Sequence, residues 1–494
     1  MKSSYLLSKS SFLKGLQCDK HLFLYKYKKE LLDPLTEMQE AIFSRGTDVG
    51  KLAQQLFPGG IDATPKSLKR FGESAELTKS LLQNDEQIIY EATFINDAVL
   101  AAADIVVKQN DELSIYEVKS STSVNEVHIN DAAVQYWIIS NLGYKINDIA
   151  IVYINNQYER EGELDLNSLF NVESVLDFVL PKQTFVTEEV KRQKNILGRK
   201  SVPEVKIGMH CTDPYPCGFI GHCWKHIPEN SIFDISGMHL RKKFELYEQG
   251  VVKVKDIPID FGLNKNQQLQ VEGILNDTTI IDKEAIKMFL DTLSYPMYFV
   301  DFESFQPPVP LYDNSRPYQQ IPFQYSVHYK ENPKANLEHH EFIADPDSDP
   351  RIPFIENLLK AVGDNGDIIV YNKSFEITRM KEIAEVFPKY KKEITSVIAR
   401  IKDLMLPFQK KYYYTPEMNG SYSIKYVLPA LVPELSYDNM EIADGGTASL
   451  AYESLLSLDD FIKIDEIKKQ LLEYCKLDTL AMVRILEKLE RVIN

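Results

Sequence analysis

The hexapeptide Tyr298-Phe-Val-Asp-Phe-Glu303 sets two carboxylates inside an apolar run. In an extended chain, period-2 alternation turns Asp301 and Glu303 to one face and Val300 and Phe302 to the other. Two carboxylates aimed at one half-buried spot are tolerable when a cation compensates them, and hard divalent ions with oxygen ligands are the usual solution. The tripeptide alone says little, because Asp282-Lys-Glu284 repeats it. Its place at the end of an apolar strand distinguishes the 301 copy. Two more alternating segments follow, residues 322–330 and 337–343, so three successive strands are expected.

Residues 367–371 read as a short buried strand, and Asn372-Lys-Ser-Phe-Glu376 opens the next helix, making Glu376 a candidate third carboxylate. Further on, Tyr474 and Asp478 lie four apart in a helical stretch and project from one face. Asp478 is the candidate fourth ligand, and Tyr474 is placed to hold an attacking water. From about residue 296 to 494 the chain resembles a DEDD-type 3′-5′ exonuclease on the ribonuclease H-like fold, in the subclass whose last motif is Tyr-x-x-x-Asp. The family's first motif falls on Asp301 and Glu303, its second on Glu376 and its last on Tyr474 and Asp478. The four carboxylates among them, Asp301, Glu303, Glu376 and Asp478, are thereby expected to hold Mg2+ or Mn2+. The second motif usually carries Asp, so Glu376 departs from it by one methylene.

The N-terminal half holds another carboxylate constellation. Residues 88–94, 99–107 and 112–119 read as three strands, the last two turned back on one another by Asn110-Asp111. Asp104 and Glu117-Val-Lys119 then meet across neighbouring strands. Two carboxylates holding a metal, with a lysine stabilising charge on a phosphate, suit phosphodiester hydrolysis. A helix over residues 130–142 is expected to place Gln135 and Tyr136 near its start, followed by a strand over residues 148–154. Glu-x-Lys recurs at 189, 204 and 466, and only the 117 copy has this setting. The order resembles PD-(D/E)xK nucleases of the RecB-like superfamily over roughly residues 1–230, which implies Asp104, Glu117, Lys119 and Gln135 as site residues. Ala103 replaces the proline of the name. Where many members carry a histidine ligand on an early helix, this chain has Arg45-Gly-Thr-Asp-Val-Gly50.

Of five cysteines, Cys18, Cys211, Cys217 and Cys223 frame that half. One N-terminal thiolate plus a C-terminal trio resembles the iron-sulfur clip of AddB-type and CRISPR-associated exonucleases, implying a 4Fe-4S cluster on four thiolates. Both gaps in the trio are five residues, whereas the family commonly begins with Cys-x-x-Cys. Zinc, with His210, His222 or His226 replacing a thiolate, is the alternative, and free thiols or a disulfide the plainest one. Residues 1–17 lack the continuous apolar core of a signal peptide, which argues against a secreted disulfide framework. Cys475 reads as a small packing residue.

At 494 residues and 44% hydrophobic content the chain is large enough for two or three domains with full cores. The expected architecture is α/β: a PD-(D/E)xK restriction-endonuclease-like domain over 1–230, a helical connector over 231–293, loosely resembling helix-hairpin-helix linkers, and a ribonuclease H-like domain over 294–494. No apolar run reaches membrane-spanning length, and a cytoplasmic location is expected. The net charge of −16 argues against a nonspecific nucleic-acid coat, leaving local basic-aromatic clusters around Tyr25 and Tyr412 as candidate contacts. The expected activity is metal-dependent cleavage of DNA ends or single strands in repair, end processing or defence. RNA is the alternative substrate, and a nucleic-acid-binding scaffold with degenerate sites the alternative function. No Gly-x-x-x-x-Gly-Lys-Ser/Thr loop is present, so unwinding would fall to a helicase or a repair or defence partner.

Overall fold

In the computed structural model the described residues are 6–67, 70–84, 86–438 and 440–494. Residues 1–5 of the N-terminal segment discussed above lie outside them. The chain is mixed α/β and divides into two compact units. The first comprises residues 1–226 with 307–318, the second residues 227–306 with 319–494.

The first unit is built on seven strands: β1 (Leu7–Ser8), β2 (Ile61–Asp62), β3 (Ile88–Asn96), β4 (Val99–Gln109), β5 (Glu112–Lys119), β6 (Lys145–Ile154) and β7 (Phe170–Ser174). Their order is β2-β3-β4-β5-β6-β7, with β1 beside β4. β3, β4 and β5 form an antiparallel meander, tightened at its second turn by Asn110 and Asp111, both at positive φ. β5 and β6 are parallel and therefore need a crossover, which the helix Glu126–Asn141 supplies. That helix starts four residues earlier than the sequence pattern suggested. The Asn125 side chain accepts from the amides of Val127 and His128 and fixes the start there, so Gln135 sits in mid-helix, where it is fully buried. The β3–β4 ladder skips Glu91, whose φ of 53° is unusual for a residue with a Cβ.

In the second unit a five-stranded sheet runs β11-β10-β9-β12-β13, from β9 (Met297–Phe305), β10 (Ile321–Lys330), β11 (Glu338–Ile343), β12 (Asp367–Val370) and β13 (Ile401–Asp403). The first three are antiparallel, and β12 and β13 add in parallel beyond β9. β9 is thus central, paired along both edges, and its faces are covered by packed helices, Val300 and Phe302 meeting Phe354 and Leu358 on one side. A two-stranded ribbon pairs β8 (Ile280–Ile281) with β14 (Tyr413–Tyr414). The 33-residue helix Phe461–Ile493 lies along β9 and β10. It is pinned by Gln324, whose amide donates to the Leu471 carbonyl (2.7 Å), and by Thr479, which bonds Ser326 and His328 (2.7 Å each). Residues 231–293 carry the helices Leu240–Glu248, Lys265–Asn276 and Lys283–Leu290 and belong to this unit.

Residues 307–318, between β9 and β10 in the chain, complete the first unit. Arg160 donates to the carbonyls of Pro310 and Leu311 (3.0 and 3.1 Å), Gly162 to Asp313 (2.8 Å), and the Tyr318 hydroxyl to the Ser120 carbonyl. Val309 and Tyr318 pack on an apolar cluster that includes Val49, Val152 and Phe170, and Tyr116 and Val118 of β5 pack against the same cluster. Because Val118 stands between Glu117 and Lys119, this limb backs the strand that carries both. Tyr318→Ala is expected to cost the first unit about 2 kcal/mol and to speed hydrogen-deuterium exchange over residues 116–121. Unchanged exchange there would show that the limb does not support β5.

Candidate functional site

In the second unit, Asp301 and Glu303 project from one face of β9, and Glu303 is 6% exposed. The helix Ser374–Val386 brings in Glu376, 2% exposed, whose Oε2 has no hydrogen-bond partner. Tyr474 and Asp478 enter from the long helix, one turn apart and both buried. Burial, reinforced by neighbouring carboxylates, holds Asp301, Glu303 and Glu376 well above the usual carboxyl range. Burial pushes Asp478 up to about 6, against hydrogen bonds from Tyr437 and Tyr474 that favour its charged form. Tyr437 donates to Asp478 Oδ1 at 2.6 Å, and its ring lies 6.2 Å from that of Tyr474. The Tyr474 phenol is itself driven far upward by burial and by the carboxylates, so it remains a neutral hydroxyl.

Among the described residues, one set of three metal-ligand atoms lies within 4.8 Å of one another: those of Asp301, Glu303 and Cys475. Asp478 and Glu376 sense the same centre electrostatically but stand outside that tight set. Cys475, read from sequence as packing, is completely buried with its sulfur 3.7 Å from Asp301 Oδ2. Tyr437, Cys475 and Lys425, which favours the charged forms of Glu303 and Asp478, were not legible as site residues. The position of Cys475, next to Tyr474, was the one available signal.

In the first unit, Asp104 accepts from the Val118 amide at 2.7 Å, and burial followed by the Glu117 charge pushes it up to about 7. Glu117, 2% exposed, accepts from Lys119 (2.7 Å), Lys9 (2.5 Å) and Gln135 (2.7 Å). Burial alone would raise its pKa, but the two ammonium groups outweigh burial and hold it below the ordinary range. All four expected residues are thus gathered. Asp131, one turn before Gln135, joins them through Lys119 (2.6 Å) and keeps a buried Oδ1 without a partner. Lys9 reaches the pair from the helix Lys9–Gln17. Glu91, the one acid in residues 88–94, is also raised by burial and feels Lys9 and Glu117. Sequence reasoning missed these three. The i, i+4 spacing of Asp131 and Gln135 and the isolation of Glu91 among apolar residues were the signals for two of them; Lys9 had none.

Cys18, Cys211, Cys217 and Cys223 line one cavity with His21, His210 and Lys20, and all are free thiols. Burial pushes Cys217 up to about 11, with further contributions from the other three thiols. No three of these sulfurs fall within 4.8 Å of one another among the described residues, whereas sulfurs on a tetrahedral zinc stand about 3.8 Å apart. His222 and His226 are not among the lining residues. Of the basic-aromatic clusters, Tyr25 carries Lys14 and Lys29 at 4.6 and 4.9 Å from its ring centre. The cluster at 410–414 is largely turned inward: Lys411, Tyr413 and Tyr414 are buried, the last two on β14 where it pairs with β8.

Residues 298–423 match a domain of unknown function, DUF2779. The match takes in Asp301, Glu303 and Glu376 and stops before Tyr474. Uncharacterized protein UU173 of Ureaplasma parvum serovar 3 is 22% identical over 566 aligned positions, covering 86% of this chain and 81% of that protein. Uncharacterized protein MG366 of Mycoplasma genitalium is 26% identical over 216 positions, 40% of this chain and 32% of its own length. Its Mycoplasma pneumoniae homolog is 28% identical over 207 positions, 38% of this chain and 31% of that protein. Among the described residues no helix is long and apolar enough to cross a membrane.

The upward shifts in the second unit have a consequence for stability. A carboxyl whose pKa is higher folded than unfolded stabilises the fold below its unfolded value, and that contribution is lost as pH rises through the folded value. In EDTA the melting temperature of the second unit should therefore fall as pH rises from about 4 past 6, where Asp478 ionises, and onward as Asp301, Glu303 and Glu376 follow. Adding Mg2+ or Mn2+ at pH 8 should recover several degrees. A melting temperature insensitive to both pH and metal, measured by calorimetry, would contradict the cluster.

Proposed function

We propose that the protein is a metal-dependent nuclease acting on DNA ends or single strands, with a DEDD-type 3′-5′ exonuclease site in the second unit and a RecB-like site in the first. The observation that carries this reading is the gathering of Asp301, Glu303, Glu376 and Asp478 into one largely buried group, centred on Asp301, whose charges repel one another beside the neutral hydroxyl of Tyr474. The unpartnered oxygen of Glu376 fits a group meant to receive a cation. The sheet order, three antiparallel strands followed by two parallel ones beyond the first, agrees with the ribonuclease H-like resemblance. Mg2+ or Mn2+ bound there would activate water and neutralise charge on the attacking and leaving oxygens. Asp301, Glu303, Glu376 and Asp478 would hold the ions. Tyr437 orients Asp478, and the neutral Tyr474 hydroxyl, which already donates to Asp478, would accept a hydrogen bond from the attacking water and orient it without removing its proton.

For the first unit, Asp104 and Glu117 would hold a cation, Lys119 would face the phosphate, and Gln135 fixes Glu117. One observation favours a second reading, in which this unit only binds DNA: Lys9 and Lys119 already neutralise Glu117 and Asp131. The common cavity of the four thiols supports a 4Fe-4S cluster, with a structural zinc as the alternative. Such a cluster would tie the N-terminal helices to the end of the unit, closing a loop of nearly two hundred residues. A cytoplasmic role in repair, end processing or defence, with a helicase partner where unwinding is needed, fits this activity.

Asp301→Ala and Asp478→Ala should each lower Mg2+-dependent degradation of 3′-labelled oligonucleotides by at least about a hundredfold. Wild-type rates in the double variant would remove the exonuclease assignment. In the Asp301→Ala background any residual cleavage should disappear with Lys119→Ala, and a background with no cleavage on any DNA form selects the binding-platform reading. Anaerobically purified protein should be brown and should lose its colour and much of its solubility on Cys217→Ser. Colourless protein with stoichiometric zinc would replace the cluster with a structural zinc.

A further inference from the structure

We infer that Asp301, Glu303 and Cys475 form a thiolate-bearing centre that takes a borderline-soft divalent cation of the zinc and cobalt class. The inference deepens the reading of the second unit as a metal-dependent nuclease site and rests on it only for location. Three donor atoms lie within 4.8 Å of one another, two from β9 and one from the facing helix Phe461–Ile493. The separation of Cys475 Sγ from Asp301 Oδ2, 3.7 Å, matches the edge of a tetrahedron with one thiolate and one carboxylate ligand, about 3.5 to 3.7 Å for a zinc ion. Three protein donors leave a fourth position for water, the pattern of catalytic rather than structural zinc.

A second observation points to a ligand at the same place. Glu376 is 2% exposed, keeps an oxygen without a partner and lies within the field of Asp301, so the buried group is short of positive charge rather than internally satisfied. Mg2+ prefers six oxygen ligands at near-ideal octahedral geometry and gains nothing from sulfur. Zinc-class ions gain from sulfur, and their affinity for mixed donor sets exceeds that of the harder ions. Binding is balanced as an exchange: the metal-sulfur bond forms, the sulfur-hydrogen bond breaks, and the proton passes to solvent. Zinc-class ions therefore compete with Mg2+ at Asp301 and Glu303, and the thiol decides the competition in their favour.

The test uses the full chain and Co2+ as a spectroscopic probe. Wild-type protein titrated with Co2+ should develop a near-ultraviolet thiolate-to-cobalt band above the absorption that the first unit's four thiols and their cluster already give. Cys475→Ser, Cys475→Ala and Asp301→Asn should each remove the same component, while affinity for that equivalent falls at least about tenfold. Far-UV circular dichroism and the remaining band report folding in each variant. A difference spectrum of zero between folded Cys475→Ser and wild type overturns the inference, as does a Cys475-dependent band that survives Asp301→Asn. The nuclease reading is tested separately, by Mg2+-supported degradation of 3′ ends by the wild type. A Cys475-dependent and Asp301-dependent band in a protein without that activity supports the metal centre while removing the nuclease reading.

Discussion

The second unit depends on an electrostatic debt at the centre of its sheet. β9 has neighbours on both sides and a helix across it, so Asp301 and Glu303 are carried into a place where water does not solvate them well. Desolvation is the largest influence on every carboxyl of the group, and their mutual repulsion adds to it. A folded protein tolerates such a group when protons or cations compensate it. The rest of the unit holds the group in place. Gln324, Ser326 and His328 on β10 fasten the long helix, and that helix in turn aims Tyr474, Cys475 and Asp478 at β9.

The first unit meets the same problem with a different solution. Its buried acids, Glu117 and Asp131, are compensated by Lys9 and Lys119 within the chain, so Glu117 stays charged while Asp104 beside it is pushed up toward neutrality. A charge pair of this kind rigidifies the site because removing either lysine would leave a buried carboxylate uncompensated. It also divides the acids into two kinds: Glu117, already paired, and Asp104 and Glu91, which carry the protonation or cation demand. The limb of residues 307–318 holds the back of the same strand.

Much of the local structure was legible because its causes are local. The strands read at 88–94, 99–107 and 112–119 occupy Ile88–Asn96, Val99–Gln109 and Glu112–Lys119, since alternation and the Asn110-Asp111 turn are short-range signals. The helix opened by Asn372 to Glu376 is observed as Ser374–Val386. The crossover helix was misplaced at its start because a capping side chain, Asn125, outweighs the periodicity that followed it.

What the sequence determined by itself was which residue types share a strand face or a helix face: Asp301 with Glu303, Tyr474 with Asp478, and Glu117 with Lys119. These follow from the periods of strand and helix, fixed by backbone geometry over a few residues. Only the tertiary structure decided what each face meets. Lys9 reaches Glu117 across 108 positions of chain, Cys475 meets Asp301 across 174, and residues 307–318 pack with a unit whose other residues end at 226. Such meetings are set by how sheets and helices pack, through apolar burial that has no short sequence signature. They also decide the chemistry: a glutamate side chain is held in its charged form beside two lysines at Glu117 and pushed toward its protonated form by burial and neighbouring acids at Glu303.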